Sequence, residues 1–497
     1  MKALALDLGA SGGRVLCGIF DGKTLRVEEV HRFDNEAVQS GGHLHWDIDR
    51  IRSGLLEGMR KAAREGFSSF GVDSFCNDYA LLDEAGNPLA PVHAYRDKRT
   101  EGVLEQMDQR MPAHELYERT GNQRARFNTL VQLTAHLRDD PDALKKARSL
   151  LFVPDLLDFY LCGERAAEFT IASVSQLYNC LERGWDCAIL HAFDVPEGIL
   201  PSIVPTACRL GRAGLQVLEQ TAAAPFWVCT VGHHDTASAV AAVPSAEPHF
   251  AYISSGTWSL IGTVSDATIR TDSAFRLNFA NEGAADGRNR FLKNIMGLWL
   301  LQEVRRQLGA KGHAPTFGEL DAKAEAAAPF RTLIDPDDPR LFEPGDMIGR
   351  LQAQCRERGE PVPVSEGELT RCIQESLALA YRFTLQQLEE LTGLAFPCVH
   401  MIGGGARSAL LNRFAAGSVQ RPVLAGPYEA TAIGNLLAQC IAMGQIASWV
   451  EARQVVRASF GVTEFAPENK PAWDDAYGRF VAIKSPDRDA VEAKARE

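Results

Sequence analysis

The stretch ALALDLGASGGRVLCGIF, residues 3–20, alternates apolar side chains up to Asp7, breaks at a Gly/Ser turn, and resumes its alternation from Arg14. A period of two on either side of such a turn predicts strand, turn, strand. Asp21-Gly22 follows as a two-residue hairpin signal, and Leu25 to Phe33 alternates again. Three consecutive antiparallel strands are therefore expected to open the chain. The segment GIFDGKT, residues 18–24, ends like a phosphate loop. Its first glycine is one residue too close, and it joins two strands where a phosphate loop opens a helix, so it reads as a hairpin turn.

Beyond this opening the pattern changes to alternating helix and strand. Asp49 to Glu65 places Ile51, Leu55, Leu56 and Met59 on one face, which predicts an amphipathic helix, and Ser69 to Val72 a strand. Helical stretches follow near 101–111, 129–138, 150–161 and 170–179, then a strand-like run Phe226 to Val231 leads into Gly232-His233-His234-Asp235. Near residue 248 the opening repeats in kind: Phe250 to Ser255, the turn Gly256-Thr257-Trp258, and Ser259 to Thr263. The offset of about 247 residues is half the chain, which suggests a duplication into two similar α/β domains. A long helix Gly367 to Thr392, a strand Cys398 to Ile402, the loop Gly403-Gly404-Gly405 and a helix from Ser408 complete the second cycle, with a further strand-to-helix turn at Gly426 to Thr431.

The chain has 497 residues, 52 Lys and Arg against 64 Asp and Glu for a net charge of −12, with 45% hydrophobic and 23% charged residues. That balance belongs to a globular chain of two or three domains with ample core. An acidic chain with scattered basic residues is a poor match to nucleic acid, whose binding depends on clustered Lys and Arg. Eleven cysteines without a CxxC spacing argue against a metal or redox pair and for small buried hydrophobes in a reducing compartment. Asp7 interrupts the N-terminal apolar run before it reaches the length of a signal core or membrane span, so the expected location is the cytoplasm, without a membrane partner.

Several constellations can carry chemistry. Asp7, with Gly9, Ser11, Gly12, Gly13 and Arg14, offers a carboxylate for metal-bound water, glycine-freed amides, a hydroxyl and a guanidinium, the groups that a phosphate with Mg²⁺ requires. A tight turn at a strand end is the plain alternative. Ser254-Ser255-Gly256-Thr257 repeats the chemistry at half-chain spacing, and Gly403-Gly404-Gly405 allows a flat group to approach the backbone or simply makes a close helix–sheet turn. Asp235 precedes a helical run and reads either as its N-cap or as a base accepting a hydroxyl proton, two roles that are compatible. His233 and His234 are each candidates for polyol contact or for core packing. His43-Leu44-His45 is read as a non-metal strand pair.

These segments together resemble the FGGY carbohydrate kinases. The resemblance runs through ALDLGASGGRV, LHWDID, LLDEAGNPL, AYRDKRT, FNTLVQL, VPDLLDFYLCG, SVSQLYN, HHDTASAV, YISSGTWSLIG, NEG, FLKNIMGLWLLQ, PGDM, IGGGARSALLN and GPYEATAIGN, and is most specific in HDTASAV and FLKNIMGLWLLQ. It implies two actin/hexokinase-like (ribonuclease H-like) domains with an ATP cleft between them: a sugar-binding domain over 1–244, a nucleotide-binding domain over 245–484, and a charged tail over 485–497. It implies an ATP- and Mg²⁺-dependent kinase acting on the primary hydroxyl of a ketose, L-rhamnulose first, with L-fuculose or a pentulose as alternatives, by a monomer or homodimer. Other classes open to the same fold are a nucleotide-driven binding module and a phosphohydrolase.

By the same resemblance Asp7 binds the metal through water and, with Gly9, Ser11, Gly12, Gly13 and Arg14, the phosphates. Gly256 and Thr257 form a second phosphate turn, Gly403, Gly404, Gly405 and Asn412 lie along adenosine, and Asp235 is the base. Phe75, Cys76, Asn77, Asp78, His234 and Asp235 contact the sugar. The turn Phe75-Cys76-Asn77 departs from the Trp-Gly-Val found before the equivalent Asp in the branch acting on L-rhamnulose, adding bulk and polarity where the sugar is expected.

Overall fold

The opening segment forms the strands Lys2–Leu8, Gly12–Phe20 and Leu25–Asp34, paired antiparallel in that order. The computed structural model describes residues 1–310, 312 and 314–484; the tail expected over 485–497 lies outside the described residues. The connection after Phe20 is a four-residue turn, Asp21 to Thr24, in place of the expected two-residue hairpin. The Asp21 carboxylate accepts the amides of Lys23 and Thr24, and an Asx turn satisfied in this way needs no second residue at positive φ. Lys23 therefore sits in a hairpin tip, as the too-close glycine of GIFDGKT requires.

The chain divides into two compact units assembled from interleaved segments. The first comprises Met1–Pro248, Val264–Phe291 and Glu429–Phe460; the second comprises His249–Thr263, Leu292–Tyr428 and the chain from Gly461. In the first unit Lys2–Leu8 is also paired, in parallel, with Ser69–Ser74, which pairs in parallel with Trp227–Cys229, and that strand antiparallel with Arg209–Arg212. The expected strand 69–72 is thus two residues longer and ends beyond Asp73. In the second unit Ala251–Ser255 pairs antiparallel with the strand from Trp258 and parallel with Val399–Ile402. Val399–Ile402 pairs in parallel with Val423–Ala425, and that strand antiparallel with Thr463–Phe465. The six strands of the first sheet have counterparts in the same order among the seven of the second, so the half-chain repeat seen in the sequence is a repeat of topology.

Layering in the first unit follows from the alternation of Gly12–Phe20. Val15 points to one face, where it packs on Gly58 of the helix Ile48–Ala63. Gly18 points to the other face, under Leu436 of the helix Ala430–Ala442. Leu4, Leu6, Leu8, Val15, Ile51, Leu55, Met59, Phe70 and Val72 form the core between sheet and first helix. Two expected helices are shorter than their patterns. Ser149–Phe152 is a strand, so the next helix runs Val153–Cys162 with Pro154 in its first turn, and of the 170–179 stretch only residues 170–172 are helical, as part of the short helix Phe169–Ala172. The first difference arises where a buried apolar run carries no period of its own and strand pairing decides.

The helix Asp235–Ala241 crosses Ala430–Ala442 with almost no spacing: a Cβ on Gly434 would stand 1.8 Å from the Ser238 carbonyl oxygen. Because that neighbour is backbone, it cannot yield without separating the helices. Gly434→Ala is expected to cost about 1–3 kcal/mol of stability through overpacking, read as a lower thermal midpoint. An unchanged midpoint would show that the two helices do not approach this closely.

Candidate active site

Three carboxylates gather at strand ends in the first unit. Asp7, next to last in its strand, stands opposite Asp73 in the parallel register and opposite Arg14 in the antiparallel one. Arg14 donates to Asp7 Oδ2 at 2.5 Å and to Glu429 Oε2 at 2.7 Å, holding the cation between two acids. Asp73 is fully buried. Its Oδ2 accepts from Asn435 at 2.7 Å, while its Oδ1 finds no partner. Burial, followed by the neighbouring charge of Asp7, pushes the Asp73 carboxyl well above its ordinary range. The Asp7 carboxyl is raised by burial too, with Arg14 opposing.

Asp235 is the third. It is the first residue of its helix and His234 holds the cap position, so the expectation that Asp235 caps the helix is corrected by one residue. Asp235 Oδ1 accepts the Thr236 amide at 2.6 Å and the Thr236 hydroxyl at 3.1 Å, and its side chain keeps 35% exposure. Burial first and the charge of Asp7 second raise its carboxyl to about 6. His234 is buried beside it: Nε2 lies 3.5 Å from Asp235 Oδ1, and Nδ1 lies 2.9 Å from Arg290 Nη2. Burial and the Arg290 charge hold the His234 ring well below its ordinary pKa.

His233 is a core histidine and not a surface for a polyol. It is 1% exposed, with Nδ1 2.8 Å from Asp155 and Nε2 3.2 Å from Asp158, and the two acids raise it well above the ordinary range. Its carbonyl accepts the Ser74 amide and its amide donates to Glu168, which ties the turn before Asp235 to the end of the Asp73 strand. His43 and His45 lie on a short edge strand, where His43 meets the Asp97 carboxylate at 3.0 Å.

The turn after Asp73 is mostly inward. Phe75 stacks on Trp46 at 4.4 Å, Asn77 and Asp78 are buried, and Cys76 alone of the four keeps part of its surface open. Asn77 takes φ 76°, a left-handed conformation that asparagine tolerates better than valine does. The Asp78 carboxylate accepts from Trp46, Tyr95 and Gln132, so it orients the wall of the turn with all of these donors already in place. Burial raises Asp78 to about 7 and the Cys76 thiol well above its ordinary range, which keeps that thiol neutral.

The phosphate-turn candidates also separate. Among the described residues the amides of Ala10 and Ser11 find no hydrogen-bond partner, and Gly9 would meet nothing closer than 3.4 Å with a side chain, so the turn is an open cradle of donors. Gly12 lies just behind it, and Gly13 is buried under the Phe33 ring, where a Cβ would stand at 2.2 Å. In the second unit Gly256 and Gly404 are likewise open, with nothing nearer than 3.8 Å to an added Cβ. The Gly256 and Thr257 carbonyls accept the amides of Leu298 and Trp299, and Gly297 lies so close that a Cβ would meet Trp258 backbone at 2.5 Å. The motif FLKNIMGLWLLQ therefore buttresses this turn. Gly403, at φ 79°, and Gly405 pack on Ser255, whose neighbourhood is fixed by the buried Tyr381 hydroxyl. Asn412 is buried and donates to the carbonyls of Gly405, Ala406 and Ser408, so it holds the glycine loop in shape.

Residues 2–241 and 251–443 match the N-terminal and C-terminal domains of the FGGY family of carbohydrate kinases. The chain belongs to that family. It is an ATP-dependent carbohydrate kinase of the two-domain α/β FGGY fold. The kinase is 40% identical to a rhamnulokinase of Bacteroides thetaiotaomicron over 96% of this chain and 98% of that protein. It is 38% identical to a rhamnulokinase of Bacillus subtilis over 94% and 95%. In fold it is similar to a ligand-bound xylulose kinase from Lactobacillus acidophilus, with TM-score 0.80 and 14% identity over 98% of both chains. A glycerol kinase of Plasmodium falciparum with ADP gives TM-score 0.77 at 14% identity over 97% of both. No helix among the described residues is long and apolar enough to cross a membrane.

Sequence reading missed Asp73, Glu282, Arg290 and Glu429. Glu282 and Glu429 lay inside the quoted motifs NEG and GPYEATAIGN, and Asp73 and Arg290 lay directly beside quoted segments, but only pairing brings them to the site. Gly405→Ala would place its Cβ 2.2 Å from Ser255 Oγ. The expected outcome is a severalfold rise in the KM for ATP with the KM for the sugar little changed. Equal changes in both would show that the glycine loop serves the whole fold and not the nucleotide.

Proposed function

We propose that this kinase phosphorylates L-rhamnulose at its primary O1 hydroxyl with ATP, and that Asp235 is the base. The observation that carries the substrate is the likeness to rhamnulokinases at 38–40% identity across nearly the whole chain. The chemistry of the site supports the roles. A primary hydroxyl keeps its proton until the bond to phosphorus is forming, so the base must be ionised, close, and only moderately weak. A carboxyl raised to about 6 meets that description near neutral pH. Among the described residues Asp235 Oδ2 accepts no hydrogen bond, which leaves it for the hydroxyl while Thr236 fixes the other oxygen.

The residues present fit ATP and Mg²⁺. The unpaired amides of Ala10 and Ser11, with Gly9 and Gly12 around them, suit phosphate oxygens, and the partly exposed Asp7 suits metal-bound water, with Arg14 opposing the burial that raises its carboxyl. Gly256, Thr257, Gly403, Gly404 and Gly405 suit the remaining nucleotide, with Gly13 and Asn412 shaping their loops from behind. When bound, the metal nucleotide supplies the phosphoryl group and neutralises charge that builds up on it. Cys76 and His234 offer the sugar a neutral thiol and a ring N–H, and Phe75, Asn77 and Asp78 form the wall behind them. The kinase is cytoplasmic in this reading.

Asp235→Asn is expected to leave ATP and sugar binding nearly intact and to lower kcat by roughly 10² or more, as loss of a positioned base does. More than a tenth of wild-type kcat would remove that role. The kcat/KM for sugar should fall about tenfold per pH unit below about 6, because the deprotonated Asp235 is the active form. A profile flat down to pH 5 would place the base elsewhere. ADP release across ketohexoses and ketopentoses is expected to be greatest with L-rhamnulose; a clear preference for L-fuculose or a pentulose would overturn the substrate, and sugar-independent ATP turnover would overturn the kinase.

A further inference from the structure

Arg290 is the largest fully buried side chain of the described residues, and nothing in the phosphoryl transfer requires a cation there. Its Nε donates to the Gly283 carbonyl at 2.8 Å, and its Nη2 donates to Glu282 Oε2 at 3.0 Å. The same Nη2 stands 2.9 Å from His234 Nδ1. A guanidinium is always protonated and has no acceptor, so this contact has one polarity: Nδ1 accepts, and the ring proton of a neutral imidazole must then sit on Nε2. Nε2 is the nitrogen 3.5 Å from Asp235 Oδ1.

We infer that Arg290 is a positioning residue for the transfer: it locks His234 as the Nε2–H tautomer, so that His234 presents a donor to Asp235 and to the sugar. The inference rests on Asp235 being the base, and it deepens that assignment. With the Nε2 proton in place, Asp235 Oδ1 is surrounded by the Thr236 amide, the Thr236 hydroxyl and the imidazole, while Oδ2 has no protein donor. The two oxygens are thereby made unequal, and the proton of the sugar hydroxyl goes to Oδ2. The opposite tautomer would aim a nitrogen lone pair at a carboxylate oxygen and set an N–H against the guanidinium. Glu282 has the matching task. Its Oε2 is 3.4 Å from His234 Nδ1, within reach of a proton there, yet it is occupied by Arg290. Without Arg290 the freed Glu282 would draw a proton onto Nδ1, giving the wrong tautomer or an imidazolium paired with Asp235.

The test reads tautomer and turnover separately. ¹⁵N NMR of histidine-labelled enzyme, with the His234 signals assigned by their absence in His234→Gln, is expected to show bare Nδ1 and protonated Nε2 in the wild type at neutral pH. This reading does not depend on kinase activity, so it can fail while Asp235 remains the base. A protonated Nδ1 in the wild type overturns the inference. In Arg290→Met the Nε2–H signature should be lost, with kcat falling by about 10-fold to 100-fold, part of what base catalysis supplies, and the KM for ATP little changed. Arg290→Lys keeps a buried cation and a donor, and there tautomer and kcat should be retained together or lost together. Should Arg290→Met not fold, the wild-type spectrum and the lysine variant decide. Any folded variant in which kcat collapses while His234 keeps its Nε2 proton, or the reverse, overturns the lock.

Discussion

Crowding of like charge at the ends of parallel strands is the constraint around which the first unit is built. The register that pairs Lys2–Leu8 with Ser69–Ser74 sets Asp7 directly opposite Asp73, and Asp235 feels the charge of Asp7 as well. Three carboxylates so placed would repel one another and resist burial. The surrounding residues answer each separately: Arg14 bridges Asp7 to Glu429, Asn435 donates to Asp73, and Arg290 stands behind Asp235 through His234. Burial first, and the charge of Asp7 second, lift the Asp235 carboxyl to about 6, so the placement that costs stability also weakens this group as an acid.

The duplicated topology shows how one scaffold serves two chemistries. The strand-end position of Asp7 is matched in the second unit by Ser254, and that of Asp73 by Ile402. Where the first unit places two carboxylates, the second places a hydroxyl and an aliphatic side chain, and its loops come so close that Gly297, Gly403 and Gly405 have no room for a side chain. Titratable groups thus gather at one set of strand ends, and close backbone packing at the other.

Much of this was legible in the chain. The alternation around Asp7, its repeat at Ser254, and the strand-to-helix glycines at 403–405 follow from local pattern, and the structure contains each of them. What sequence could not separate was a glycine that opens a cradle from one that admits a neighbour. Gly9 and Gly13 look alike in sequence, yet one faces open space and the other lies under Phe33. The same limit applies to adjacent histidines: His233 points into Asp155 and Asp158, while His234 points at Asp235, a difference set by the helix Val153–Cys162 far away in sequence. Arg290 carried no local signal at all, because its meaning lies in partners 56 and 8 residues away.

The central claim is that the Asp235 carboxylate receives the proton of the sugar's primary hydroxyl. A crystal structure of the wild-type enzyme with L-rhamnulose and a non-hydrolysable ATP analogue tests it most directly. The account predicts O1 of the sugar within about 2.6–3.2 Å of Asp235 Oδ2, with His234 Nε2 alongside. A sugar bound with O1 turned away from Asp235, against another titratable group, would contradict it.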